Sequence, residues 1–133
     1  VAFMVSHGAA TPGVMANTVA YRSGDSWLKD VLSYIDHNRT VLAELLETHI
    51  PQMRYRAPEG TYIAWLDATE LPPVNGDRSW AQFFSDEAKV ALTDGALCGD
   101  AGVGHLRLML ATPAHILEKI VLAMADALAA AES

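Results

Sequence analysis

Read with a period of two, the run HLRLMLA at residues 105–111 sets Leu106, Leu108 and Leu110 on one side and His105, Arg107, Met109 and Ala111 on the other. The leucine side predicts a strand face against a core. The opposite side carries a guanidinium, which does not deprotonate in proteins and must meet something that tolerates a fixed positive charge. Earlier in the chain the period changes. Leu28, Val31, Leu32, Ile35, Leu42, Leu45, Leu46 and His49 recur at helical steps and form a single apolar stripe. They predict one long amphipathic helix, capped by Asp25 and ended by Pro51. Lys29, Ser33, Asp36, His37, Thr40, Glu44 and Glu47 fall around its wet side.

The remaining elements follow from caps, turns and shorter patterns. Thr11-Pro12 marks the start of a first helix, with Thr11 as cap, running to about Arg22 and stopping at Ser23-Gly24. Met53–Arg56 and Thr61–Asp67 predict a β-hairpin around a Pro58-Glu59-Gly60 turn. Leu71–Asp77 has loop chemistry, and Ser79 caps a short helix over Trp80–Ala88 that buries Trp80, Phe83 and Phe84. Val90–Thr93 predicts a strand. The glycine-rich loop Asp94–Gly104 follows, where backbone and a ligand could come close, and leads into the Arg107 strand. Thr112-Pro113 repeats the cap-plus-proline signal before a last helix to about Ala130, packed through Leu117, Val121, Met124 and Leu128. The order α, α, β, β, α, β, β, α predicts an α/β fold of two layers, an α+β sandwich with a small sheet on the long helix and the C-terminal helix.

Composition narrows the function classes. The 133 residues, 51% of them hydrophobic, suit one domain over 1–133 with a real core. A net charge of −7, with nine Lys+Arg and no basic cluster, argues against a nucleic-acid partner. No stretch approaches the ~18 apolar residues of a membrane span. The lone Cys98 excludes an internal disulfide and fits a reducing, cytoplasmic setting. The first residues lack the features of a signal peptide, and a start on Val1 gives the expectation of a piece cut from a longer polypeptide.

Most catalytic patterns are absent. There is no G-x-x-x-x-G-K-[ST] and no G-x-S-x-G, and Gly102-x-Gly104 leads into a strand rather than a helix. His7, His37, His49, His105 and His115 show no H-x-x-x-H spacing, so no metal site is expected. Cys98 has no identified base. Lys29 and Lys119 fall on wet helix faces and Lys89 just precedes a strand, so none suits a Schiff base. Arg107 remains, with two readings: a solvated arginine on a half-covered strand, or a clamp for a carboxylate or phosphate. A rigid strand favours the clamp, since a preordered side chain loses less freedom on binding.

Several segments carry a family pattern. PEGTYIAWLD at 58–67, VALTDG at 90–95 and GVGHLRLMLATP at 102–113 resemble the C-terminal small domain of class I/II pyridoxal-phosphate (PLP) aminotransferases. ANTVAYRSGDSWL at 16–28 and YIDHNR at 34–39 are similar to the cystathionine β-lyase, or C–S β-lyase, branch of that family. The resemblance covers almost the whole chain, in order. It implies the small domain of a fold-type-I enzyme, with residues 1–24 as interdomain segment and linker helix. The family's large domain, outside this chain, supplies the Schiff-base lysine, the aspartate under the pyridine nitrogen and most phosphate contacts. Pyridoxal 5'-phosphate is therefore expected on that domain and not here, and the fragment alone is expected to be inactive, with no catalytic residue of its own.

The resemblance further implies an amino-acid substrate, the chain's own large domain as partner, and a homodimer at full length. Arg107 matches the arginine that grips the substrate α-carboxylate. Gly60 and Tyr62 match a turn near the substrate entrance, and His7 falls in the interdomain segment near the active site. Met109 stands where the family usually has Asn, Asp94-Gly95 where Pro-Gly is common, and Cys98 where Phe is. Lyase and transaminase both remain open. So does a reading from another class, a non-catalytic α/β module that binds an anionic metabolite or a protein partner.

Overall fold

A computed structural model describes residues 10–72 and 78–131. His7 lies outside the described residues. The chain divides into two units, residues 1–34 and 35–133, taken in turn below.

The first unit holds helix α1 (Thr11–Ser23) and the start of α2 (Asp25–His49). Pro12 sits in the first turn of α1, where its missing N–H is no loss. Ala10, not Thr11, is the cap residue, and no side chain caps the helix. The helix stops at Gly24, whose N–H bonds Ala20 O at 2.8 Å. A Cβ there would meet that same oxygen at 2.5 Å, so only glycine fits. Asp25 is the first residue of α2 rather than its cap, a position where a carboxylate still complements the helix dipole. None of the α1 residues is buried.

In the second unit the rest of α2 buries Ile35, Leu42 and Leu46 of the predicted stripe and the polar Asn38, while Leu45 is half-buried and His49 exposed. Strands β1 (Arg54–Tyr55), β2 (Ile63–Asp67), β3 (Thr93–Asp94) and β4 (His105–Met109) form one antiparallel sheet in the order β1-β2-β4-β3. The Arg107 strand is thus internal, paired with β2 and β3. Ala64, Leu66, Leu106 and Leu108 form the buried face of the sheet. Leu42, Leu46, Ile50, Leu110 and, from helix α4 (Ala114–Ala131), Leu117, Val121 and Met124, each exposed by no more than 2%, complete the core. Ala127 takes the fourth buried position of α4, and Leu128 is only half-buried.

Three elements differ from expectation, each for a hydrogen-bonding reason. The helix over 80–88 is α only in α3 (Trp80–Phe83), where Ser79 and Gln82 form a capping box. It then widens to a π turn over Phe84–Ala88 that ends on left-handed Lys89, φ 58°. The Phe84 carbonyl accepts from both Lys89 N–H and Val90 N–H, so the extra residue is taken up by the reversal. Val90 is buried, but its N–H is spent in that way, and the strand begins only at Thr93. Met53 N–H likewise bonds Ile50 O, leaving β1 two residues long.

The glycine-rich loop is built for close approach between its own backbone segments. Two 3₁₀ turns, Gly95–Cys98 and Asp100–Gly102, press Gly95 against Gly102. A Cβ on Gly102 would lie 1.9 Å from Gly95 O. Gly102→Ala is therefore expected to destabilise the protein by about 1–3 kcal/mol through forced backbone movement. Leu106→Ala, a cavity at a residue 1% exposed, is expected to cost about 2–5 kcal/mol. Denaturant midpoints measure both, and wild-type values for either variant would contradict this packing.

Candidate functional site: the open face of the sheet

The register of the sheet assembles the site. Ile63 pairs with Met109, Trp65 with Arg107, and Asp67 with His105 across β2 and β4, while Thr93 on β3 flanks Arg107 from the other side. Alternation puts all of these on the face opposite the buried leucines. Trp65 stacks on His105 with ring centroids 5.5 Å apart and planes at 23°. Trp65 and Met109 remain exposed, and Arg107 is half-buried between them. The 3₁₀ turn after β3 carries Cys98 to the guanidinium, and Arg107 Nη1 donates to Cys98 Sγ at 3.6 Å.

Burial and electrostatics together set Arg107 apart, since Arg22 and Arg56, which also lack an ion pair among the described residues, are exposed. Arg39 is paired with Asp36. Arg54 holds Asp67 at 3.1 Å and Glu70 at 3.0 Å. Arg78 holds Glu87 at 3.0 Å and Asp86 at 3.6 Å. Among the described residues no carboxylate stands within ion-pair distance of Arg107, and a thiol, a weak acceptor, is its hydrogen-bond partner. A half-buried arginine without a carboxylate partner among the described residues keeps its donors for charge-assisted bonds to an anion.

The other sequence candidates fall nearby but not on that row. The β2–β4 register, continued one step, sets Tyr62 opposite Leu110, and Leu110 N–H donates to Tyr62 O at 2.7 Å. Tyr62 thus shares the parity of the core residues and sits, 49% exposed, at the end of the sheet. Gly60 has open space where a Cβ would stand. The left-handed residue of that turn is Thr61, φ 63°, a strained choice for a β-branched side chain. Arg39 Nη2 donates to Thr61 O at 2.6 Å and holds it there.

Sequence reading gave no role to Trp65, Thr93, Asn38 or Arg39, although the segments PEGTYIAWLD, VALTDG and YIDHNR carry them as family pattern. Trp65 was legible as the middle of an Ile63, Trp65, Asp67 alternation, whereas the pairing of Thr93 with Arg107 has no local signal. Lys29, Lys89 and Lys119 are all exposed, and no group of His, Cys, Asp and Glu among the described residues could hold a metal. No helix among them is long and apolar enough to cross a membrane.

No family model matches the chain. A Mycobacterium tuberculosis protein with the provisional name cystathionine β-lyase is 41% identical over 138 residues, covering 93% of this chain and 34% of its own length. Protein MalY of Escherichia coli is 33% identical and covers 92% of this chain and 32% of its own length. The crystal structure of the PLP-bound C–S lyase from Staphylococcus hominis superposes with a TM-score of 0.85 at 29% identity, over 95% of this chain and 34% of that one. The chain spans about a third of the length of the curated relatives it matches.

Asp67, at the edge of the Arg107 row, gives the site a pH signature. Hydrogen bonds from the Thr69 hydroxyl and N–H, reinforced by Arg54, hold its carboxyl below the usual carboxylate range. A carboxyl depressed on folding contributes stability above its unfolded pKa and loses it as the pH falls through the folded value. Wild-type protein is expected to lose thermal stability on acidification through and below the ordinary carboxylate range. Asp67→Asn should lose less, and parallel melting-temperature profiles for the two proteins would contradict this.

Proposed function

The chain belongs to the family of cystathionine β-lyases and C–S lyases, and from that premise we propose that it is the C-terminal small domain of a PLP-dependent enzyme acting on an amino-acid thioether. In this reading Arg107 grips the substrate α-carboxylate. The observation that carries it is the guanidinium itself: fixed on an internal strand, half-buried, and paired with a thiol where the other half-buried arginines of the described residues, Arg39 and Arg78, hold carboxylates.

The residues present do not fit the cofactor. A Schiff-base lysine needs a pocket that lowers its pKa, and Lys29, Lys89 and Lys119 are exposed. Pyridoxal phosphate therefore belongs to the part of the polypeptide outside this chain, and the isolated chain is inactive. What this chain contributes is position. The planar fork of Arg107 matches the two oxygens of a carboxylate, and a carboxylate replacing Cys98 Sγ exchanges a weak sulfur acceptor for charge-assisted bonds. Trp65, paired with Arg107 across β2 and β4, lies on the same open face. The β2 and β3 ladders fix the strand beneath, so the substrate is oriented from a rigid base.

Lyase rather than aminotransferase chemistry is favoured by the relatives' names and the C–S lyase superposition. The full-length protein is then expected to release pyruvate, ammonia and a thiol from cystathionine. Arg107→Lys in that protein should lower kcat/KM about tenfold to a hundredfold, the loss of one charge-assisted hydrogen bond of ~1.5–3 kcal/mol. An unchanged kcat/KM would remove Arg107 from the substrate site. Carboxylate binding without turnover by the full-length protein would instead identify a non-catalytic anion-binding module.

A further inference from the structure

We propose that Asn38 and Arg39, neighbours on α2, are positioning residues that set Arg107 against the substrate; this rests on the reading of Arg107 as the carboxylate grip. Asn38 is fully buried. Its Nδ2 donates to Leu110 O at 2.8 Å and to Thr112 O at 2.7 Å. Both partners are acceptors, so the orientation of the amide is fixed by chemistry. Leu110 is also held from the other side, through its N–H on Tyr62 O at 2.7 Å. One helical step on, Arg39 reaches Thr61 O at 2.6 Å while its other terminal nitrogen pairs with Asp36. Two consecutive side chains of one helix therefore hold both segments at the same end of the β2–β4 ladder: Thr61–Tyr62 where β2 begins, and Leu110–Thr112 where β4 has ended.

The energetics point to geometry rather than stability as the reason for these residues. Asn38 Oδ1 is buried without a hydrogen-bond partner, as is Arg39 Nε. An orphaned buried polar atom is unfavourable, and a well-packed apolar residue at position 38 would avoid it. Apolar residues could not hold two carbonyls at a fixed place, however. The braced end also carries strain, since left-handed Thr61 persists only where its surroundings over-determine it. Arg107 lies on the ladder that this brace terminates. Its Cα position along the sheet, and with it the reach of its fork, is set by where Leu110 is held.

The test is a double-mutant cycle in the full-length holoenzyme, with an amino-acid thioether such as cystathionine as substrate. Asn38→Ala alone is expected to lower kcat/KM about tenfold, mainly through KM, because an ångström-scale displacement of a gripping group is costly. In the Arg107→Lys background the same change should have almost no further effect, since the fit it protects is already lost. Amide exchange over residues 105–112 should quicken in Asn38→Ala. Arg39→Lys, which keeps the charge but loses the fork, should show the same coupling and covers the case in which Asn38→Ala does not fold. Equal losses in both backgrounds would overturn the positioning role while leaving the grip intact. No loss from Arg107→Lys itself would overturn the grip, and the positioning role with it.

Discussion

A guanidinium cannot discard its charge, and the sheet holds Arg107 where nothing described in its own unit neutralises it. Most of the second unit can be understood as what makes that placement possible. The strand is internal, so its backbone is satisfied on both edges. Its other face supplies Leu106 and Leu108 to the core, so the arginine cannot turn inward without exposing leucine. The loop before it folds back through the Gly95–Gly102 contact and brings a thiol, not an acid, to the exposed fork.

The rest of the site is held by backbone accounting. Where β4 ends, the buried Leu110 carbonyl accepts from Thr112 N–H and from the Asn38 amide of α2, and the same amide also serves the half-buried Thr112 carbonyl. The neighbouring arginine serves the carbonyl of Thr61, the left-handed residue of the hairpin turn. Helix, hairpin and the Arg107 strand meet in that one dipeptide. This links a buried helix position to a surface cation although the two do not touch.

Much of this was legible in the sequence because it is local or periodic. The leucine alternation at 106–110 gave the strand, its inner face and the outward Arg107. The stripe through Ile35, Leu42 and Leu46 gave α2, and Ser79 gave a cap. What escaped depends on contacts distant along the chain. Nothing local says that Trp65 and Thr93 will flank Arg107, or that Asn38 will bond residues more than seventy positions away. Local competition also hid some boundaries: Val90 reads as strand, but its N–H is taken by Phe84 O. Tyr62 and Gly60, carried by family likeness, sit at the sheet end and in an open turn rather than on the Arg107 row. The same likeness placed the lysine and the cofactor elsewhere in a longer polypeptide, in keeping with a match to about a third of each relative.

The most direct measurement is a crystal structure of the full-length protein with an amino-acid substrate analogue bound. The account predicts both α-carboxylate oxygens within about 2.7–2.9 Å of Arg107 nitrogens, with Cys98 displaced from the guanidinium. A carboxylate held by another residue, with Arg107 still turned to Cys98 or to open solvent, would contradict it.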